Sequence, residues 1–218
     1  MSQPEPTGPR YGRYVGVLGL LIVVLITLNT ALTKPNGAAG IEPGHRLAPF
    51  AVPLALGTLN GAADVATHAN EGAAGKHPAC AERGTGILNV CELYEQGPVV
   101  LALFIDGGSC AQVLNEMQAL APSFPGVRFA GVAIKGSRGQ LRKLVRTQKL
   151  SIPIGFDSEG VLAALYKLAS CPQVSFAYQG GVVQSKALLN NPTLATLRAR
   201  VNELVQAARK RGYGTRVR

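Results

Sequence analysis

The segment from Pro98 to Leu120 constrains the fold of this chain more than any other part of the sequence. Its first part, through Ile105, is a continuous apolar run rich in Val and Leu, which is typical of a β-strand buried on both faces. The tripeptide Asp-Gly-Gly, ending at Gly108, is a loop signal, and apolar residues recur at helical spacing from Val113 onward. Cys110 therefore lies where a buried strand has ended and the first turn of a helix begins.

A cysteine at this position is expected to be reactive. The first turn of a helix carries unpaired N–H groups and the positive end of the helix dipole, and both stabilise an anion. The thiol of Cys110 should therefore ionise more readily than a free thiol, and Ser109 is the residue expected to cap the helix. The order of strand, loop, cysteine and helix thus predicts a site for thiol chemistry.

An uncharged stretch over residues 14–33 predicts a membrane anchor. Its length matches a hydrocarbon core of roughly 30 Å at about 1.5 Å per residue. Arg10 and Arg13 precede the stretch and Lys34 follows it, which favours a cytoplasmic N-terminus with the remainder of the chain outside. A cleaved signal peptide is the alternative, but the apolar run is long for one. We therefore expect a single-pass protein of the cell membrane with an extracytoplasmic C-terminal domain.

Composition sets the other boundaries. The chain has 218 residues, of which 47% are hydrophobic, so it can bury one substantial core and is not a disordered sequence. We predict four segments besides the anchor: a cytoplasmic tip (1–13), a Gly/Ala/Pro linker (34–41), one folded domain (42–209) and a basic tail (210–218).

The net charge of +10 raises the question of a nucleic-acid partner. The basic residues concentrate in a helix candidate that ends near Lys149 and in the C-terminal tail. No nucleic-acid motif and no interleaving of basic with aromatic residues accompanies them, and export would separate the chain from that partner. We therefore predict a solvated basic face near an anionic envelope, and no nucleic-acid partner.

The four cysteines predict disulfides, because extracytoplasmic compartments tolerate them. Cys80 and Cys91 flank ten residues that contain the Gly84-Thr-Gly86 turn signal, which favours a local structural disulfide across a bend. The alternative is a metal site that includes His77. It lacks further ligands at a suitable spacing, so we predict no metal site.

Beyond the central strand and helix, the pattern alternates between strands and helices. The predicted elements are a strand over Val127–Ile134, a helix around Leu141–Val145, an extended piece over Ser151–Phe156, a helix over Val161–Leu168, strands over Val174–Tyr178 and Gly181–Ser185, and a helix over Pro192–Arg209. This order indicates a mixed sheet with helices on both faces.

Two parts of the sequence resemble the thioredoxin-like redoxins, a group that spans exported thiol–disulfide oxidoreductases and peroxiredoxins. Residues 110–117, CAQVLNEM, match the frame of their Cys-x-x-Cys helix, with Cys110 on the first cysteine. Residues 42–54, EPGHRLAPFAVPL, are similar to the start of a redoxin domain, which leads into a strand and a hairpin. Val113 stands where the second cysteine belongs, and no tryptophan precedes Cys110.

The resemblance implies an α/β fold with a thioredoxin-like mixed β-sheet flanked by helices, preceded here by one transmembrane helix. It also implies a second half of the site. Pro172 lies directly before a predicted strand, where these proteins carry a cis-proline beside the active-site cysteine. Cys171, the preceding residue, would then lie next to Cys110, so the resemblance implies that Cys110 and Cys171 form the redox pair.

From this pair we expect thiol–disulfide exchange, in which Cys110 attacks and Cys171 resolves the mixed disulfide. The expected partners are exported protein thiols or disulfides and an unidentified redox partner. No flavin, haem or nucleotide motif is present, so we expect no cofactor. Two alternatives stay open, namely peroxide reduction at Cys110 and a redox-silent binding module with the same fold.

Overall fold

The computed structural model describes residues 11–32, 39–67, 77–105 and 107–212, with the backbone alone for 11–13 and 26–32. The chain divides into two compact units, Met1–Gly37 and Ala38–Arg218. Most of the predicted tip (1–13), linker (34–41) and basic tail (210–218) lies outside the described residues.

The first unit contains helix α1 (Tyr11–Leu32). No helix in the part of the chain that the structure describes is both long enough and apolar enough to cross a membrane. Thr33 and the side chains of residues 26–32 lie outside that part, and the anchor over residues 14–33 stays a prediction.

The second unit is an α/β domain. Its strands are β1 (Ala51–Pro53), β2 (Ile87–Asn89), β3 (Val99–Phe104), β4 (Arg128–Ile134), β5 (Ile154–Asp157), β6 (Gln173–Ala177) and β7 (Val183–Leu189). Its helices are α2 (Val90–Gln96), α3 (Gln112–Leu120), α4 (Arg138–Thr147), α5 (Val161–Leu165) and α6 (Leu194–Lys210). Within the described residues, short 3₁₀ helices cover Ala79–Ala81, Gly108–Ala111 and Ala121–Ser123.

Five strands form a mixed sheet in the order β5-β4-β3-β6-β7. Strand β3 pairs in parallel with β4, and β4 pairs in parallel with β5, while β6 is antiparallel to both β3 and β7. The predicted architecture of a mixed sheet with helices on both faces is confirmed. Because β3 is central, both of its edges are paired and its carboxyl end lies in the middle of the sheet.

All six residues of β3 are buried, which confirms the prediction of a strand covered on both faces. Val100, Ala102 and Phe104 belong to one core cluster, together with side chains of α3, α4 and α6. The alternate residues of the strand belong to a second cluster, with α2 and α5. The period of two along a pleated strand produces this division, since successive side chains point to opposite faces.

The Gly- and Ala-rich stretch between residues 62 and 97 contains regular structure that the sequence patterns do not predict. It provides β2 and α2, and β2 pairs with β1 in a separate two-stranded antiparallel sheet. The hairpin expected after β1 is reduced to a single antiparallel bridge between Ala51 and Asp64, and the strand that pairs with Ala51–Pro53 is Ile87–Asn89. The elements are too short, at three and seven residues, for hydrophobic periodicity to indicate them.

Candidate redox site

Cys110 lies beyond the carboxyl end of β3, in the 3₁₀ helix Gly108–Ala111 that leads directly into α3. The loop before it contains Gly107 with φ at +117° and Gly108 with φ at +59°. These backbone conformations favour glycine, which explains the pair in the sequence. The predicted cap is wrong, because Ser109 lies within the 3₁₀ helix and Ala111 occupies the N-cap position of α3.

Cys171 lies two residues before β6, directly before Pro172. The peptide bond between these two residues is cis. Cys110 and Cys171 are joined by a disulfide, with their Cα atoms 5.4 Å apart, within the usual range of about 4.4–6.8 Å. The structure thus brings together all three residues that the sequence analysis assigned to the site.

The two disulfides of the domain differ in exposure. Cys110 and Cys171 are both partly exposed, and they adjoin an exposed surface formed by Ile105, Ser109 and the glycines between them. In the Cys80–Cys91 disulfide, Cys80 is also partly exposed, but Cys91 is 1% exposed and belongs to the core. A thiolate must reach a disulfide sulfur to attack it, so the Cys110–Cys171 bond can be approached at either cysteine and the Cys80–Cys91 bond at Cys80 alone.

A backbone group outside the predicted site contacts this disulfide. The N–H of Ile105, the residue after β3, donates a hydrogen bond to Sγ of Cys171 over 3.2 Å. The sequence does not predict this contact, because nearly every residue carries a main-chain donor and no side-chain pattern marks the one at Ile105. Asp106, the next residue, lies outside the described residues.

Comparison with solved structures decides the fold. A proposed thiol:disulfide interchange protein DsbE from Chlorobium tepidum superposes with a TM-score of 0.57 at 15% identity, covering 77% of this chain and 98% of that one. The fold is thioredoxin-like. The peroxidoxin BcpB from Mycobacterium tuberculosis gives a TM-score of 0.55 at 14% identity, covering 77% and 97% of the two chains.

The third comparison concerns the C-terminal domain of a proposed thiol-disulfide oxidoreductase from Bacteroides thetaiotaomicron. It gives a TM-score of 0.54 at 14% identity and covers 77% of this chain and 98% of that one. Neither a protein-family model nor a curated protein matches this sequence. The thioredoxin-like fold inferred from the sequence is therefore confirmed by structural likeness.

Within this thioredoxin-like fold, the position that would hold the second cysteine of a Cys-x-x-Cys motif belongs to the core. Val113 is 0% exposed and packs in the same cluster as Leu114 and Met117. The thiol partner of Cys110 therefore comes from the opposite side of the site, at Cys171, instead of from its own helix.

Polar contacts fix the loop that carries Cys171. Oγ of Ser170 donates to Oδ1 of Asn190 over 2.7 Å and accepts the backbone N–H of Asn190 over 3.2 Å. The buried side chain of Gln173 accepts the N–H of Ala169 and donates to the carbonyl oxygen of Tyr166 over 2.9 Å. The backbone on both sides of Cys171 is thus tied to the sheet and to the end of α5.

The Cys80–Cys91 disulfide joins the 3₁₀ helix Ala79–Ala81 to the first turn of α2. Oδ1 of Asn89 caps α2 by accepting the N–H of Cys91, while its Nδ2 donates to the carbonyl oxygens of Ala79 and Glu82. The buried Asn89 therefore has partners for both ends of its amide, which is expected for a polar group without access to water.

Shifted pKa values occur around this second disulfide. The phenol of Tyr94 lies 3.7 Å from Sγ of Cys80, and burial raises its pKa. A hydrogen bond from the guanidinium of Arg83 lowers the pKa of Glu95, and these two exposed side chains form a bidentate ion pair at 2.7 and 2.8 Å. The polar contacts in this part of the domain hold α2 against the chain before it.

Proposed function

We propose that this protein is a membrane-anchored, extracytoplasmic thiol–disulfide oxidoreductase that exchanges disulfides through Cys110 and Cys171. The observation that carries the proposal is the partly exposed disulfide between these residues, formed beside the cis peptide bond of Pro172. Two proteins of similar structure, a proposed thiol:disulfide interchange protein and a proposed thiol-disulfide oxidoreductase, are named for the same chemistry.

In the reductive half of this exchange, the thiolate of Cys110 attacks a substrate disulfide. A bond forms between Sγ of Cys110 and one substrate sulfur, and the other substrate sulfur leaves as a thiolate. The thiolate of Cys171 then attacks Sγ of Cys110, which releases the substrate as a dithiol. The products are a reduced substrate and the Cys110–Cys171 disulfide, and the opposite sequence of steps oxidises a substrate dithiol.

The position of Cys110 supports its role as the attacking thiol. It lies one residue before the N-cap of α3, a helix of nine residues whose dipole and N-terminal N–H groups favour an anion. A lowered thiol pKa increases the thiolate fraction that can attack. No cofactor is needed for this exchange, since both electrons are carried by the two sulfur atoms.

The anchor belongs to this proposal. The described side chains between Tyr14 and Leu25 are exposed and mostly apolar, a surface that suits a bilayer better than water. With Arg10 and Arg13 on the cytoplasmic side, the domain would meet exported proteins in a compartment that permits disulfides. Exported protein thiols and a redox partner that recycles the pair are the partners we propose.

Trapping variants test the activity. In Cys171→Ser, the attack by Cys110 cannot be completed, so mixed disulfides with exported proteins should accumulate on Cys110. In Cys110→Ser, far less mixed disulfide should accumulate. The double variant Cys80→Ser/Cys91→Ser is the matched control, because its Cys110–Cys171 pair is intact. Sulfenic acid on Cys110 after treatment with peroxide would instead indicate the peroxidase alternative. Absence of trapping in every variant would favour the binding module.

A reporter fusion tests the topology. A periplasmic-type reporter, active only outside the cytoplasm, is fused after Arg218 and compared with the same fusion on a chain that lacks residues 14–33. We expect activity from the first fusion alone. Activity of a cytoplasm-specific reporter at the same position would contradict the proposed location.

A further inference from the structure

We propose that the backbone N–H of Ile105 stabilises the Cys171 thiolate and thereby directs substrate thiols to Sγ of Cys110. This inference rests on the proposed function, because it concerns which sulfur of the pair a substrate attacks. The observation is the hydrogen bond of 3.2 Å from the Ile105 N–H to Sγ of Cys171.

The register of the sheet explains why this donor is available. Strands β3 and β6 pair antiparallel, with Leu103 opposite Gln173 as the last pair. Two residues further along this register, Ile105 falls opposite Cys171, where regular pairing has ended. The N–H that would continue the ladder to a carbonyl oxygen is directed instead to the sulfur of the opposite residue.

The hydrogen bond should strengthen during the reaction. A disulfide sulfur is a weak acceptor, whereas a thiolate carries a full charge, and hydrogen bonds to charged acceptors are roughly twice as strong as neutral ones. A donor that already points at the atom where charge develops stabilises the transition state without reorganisation. The Ile105 N–H meets this condition for one sulfur of the pair, Cys171.

The exchange then has a preferred course. A substrate thiolate attacks Sγ of Cys110, a bond forms between these two sulfurs, and the electron pair of the broken disulfide goes to Sγ of Cys171. A second substrate thiolate next attacks the substrate sulfur of the mixed disulfide and releases Cys110 as a thiolate. A leaving thiol of lower pKa departs faster, so stabilisation of Cys171 favours the mixed disulfide on Cys110 over the one on Cys171.

Removal of the donor tests the proposal without a substrate. The pKa of Cys171 is measured in the Cys110→Ala background by the pH dependence of alkylation, and the pKa of Cys110 is measured in the Cys171→Ala background. Ile105→Pro removes the N–H, and an ester in place of the amide of Ile105 removes it without changing the side chain. Ile105→Ala keeps the N–H and is the matched control.

We expect loss of the N–H to raise the pKa of Cys171 by about one unit, the size of a charge-assisted hydrogen bond, and to leave the pKa of Cys110 unchanged. Reduction of the Cys110–Cys171 disulfide by dithiothreitol should become several-fold slower in the same two variants. A mainly structural role of Ile105 would shift the pKa values of both thiols together or change the unfolding transition. The ester variant keeps the test valid if Ile105→Pro fails to fold.

The other charged groups stay constant across this comparison. Among the described residues, charged side chains on or next to α3, α5 and β7 include Glu116, Lys167 and Lys186, and no variant changes them. An unchanged pKa of Cys171 in the ester variant would overturn the inference, even if the pair still exchanged with substrates. A raised pKa of Cys171 without any exchange activity would support stabilisation of the Cys171 thiolate by the Ile105 N–H and contradict the proposed function instead.

Discussion

Ser170 and Asn190 form a reciprocal hydrogen-bonded pair directly beside the candidate redox site. The hydroxyl of Ser170 donates to the side chain of Asn190 over 2.7 Å and accepts its backbone N–H over 3.2 Å. Asn190 has φ at +59° and Asn191 has φ at +50°, a conformation that few residues other than glycine and asparagine adopt. The pair therefore fixes the residue before Cys171 to the end of β7.

Replacement of Ser170 by Ala should weaken this link. Both hydrogen bonds are lost and water replaces them on the exposed Asn190, so we expect destabilisation of about 1 kcal/mol, the net value of such contacts, in urea unfolding. Ser158→Ala is the control, because Ser158 is exposed, and its change should stay within roughly 0.5 kcal/mol. Equal effects in the two variants would contradict the positioning role of the pair.

Replacement of Val113 by Cys should create a competitor for Cys171. The introduced thiol is three residues from Cys110, so a disulfide between these two positions closes a ring at a smaller entropic cost than the Cys110–Cys171 disulfide does. We expect peptide mapping of the oxidised variant to recover Cys171 as a free thiol in a substantial fraction of molecules. Val113→Ala controls for the loss of packing at this buried position. Exclusive recovery of the Cys110–Cys171 disulfide would show that helix geometry keeps position 113 away from Cys110.

Removal of the second disulfide should separate stability from redox activity. Closure of the short loop between Cys80 and Cys91 stabilises by about 2–3 kcal/mol in the chain-entropy model, so the double Ala variant should lose that amount. Its rate of thiol exchange at Cys110 should stay unchanged. In the native protein, increasing dithiothreitol should reduce the Cys110–Cys171 pair first, because Cys91 is buried. Reduction in the opposite order, read by mass spectrometry after alkylation, would contradict this assignment.

Tyr166 should make the stability fall at alkaline pH. Its hydroxyl donates to the carbonyl oxygen of Ala48 over 2.7 Å, and burial raises its pKa well above the ordinary value of about 10. The unfolded chain therefore releases this proton first as the pH rises, so the contribution of Tyr166 is complete below pH about 10 and is lost above it. In urea unfolding, Tyr166→Phe should cost about 1 kcal/mol at pH 8. The difference in unfolding free energy between Tyr166→Phe and the native protein should shrink between pH 10 and 11, because only the native protein loses stability there. A constant difference would exclude ionisation of this phenol.

Much of the domain could be predicted from the sequence because its long elements have clear periodicity. The apolar run of β3 and the stripe of α6 each fill one layer of a core, so their patterns indicate their structure. The short elements β2 and α2 depend instead on tertiary pairing and on the cap from Asn89. Composition alone does not reveal either.

The site was predictable only in part, for a related reason. Cys110 is identified by its local sequence, but Cys171 lies on another element, and its assignment required the resemblance to a known fold. Ser109 was expected to cap α3, whereas the chain forms a 3₁₀ turn first and moves the cap to Ala111. The N–H of Ile105 acquires its role from sheet register, which no side-chain pattern encodes.

The Cys110–Cys171 bond encloses α3, β4, α4, β5 and α5 in a covalent ring that spans 61 positions of the chain. Closure of a ring of that size disfavours the unfolded state by about 4 kcal/mol in the chain-entropy model, whereas a Cys-x-x-Cys ring would enclose only two residues. Reduction therefore opens two of the five strands to larger fluctuations, and the amide hydrogens of β4 and β5 should exchange with solvent faster in the reduced protein. In the proposed exchange, the chain alternates between a constrained and a released state, and the proposed redox partner would distinguish the two states by their rigidity as well as by their sulfur chemistry.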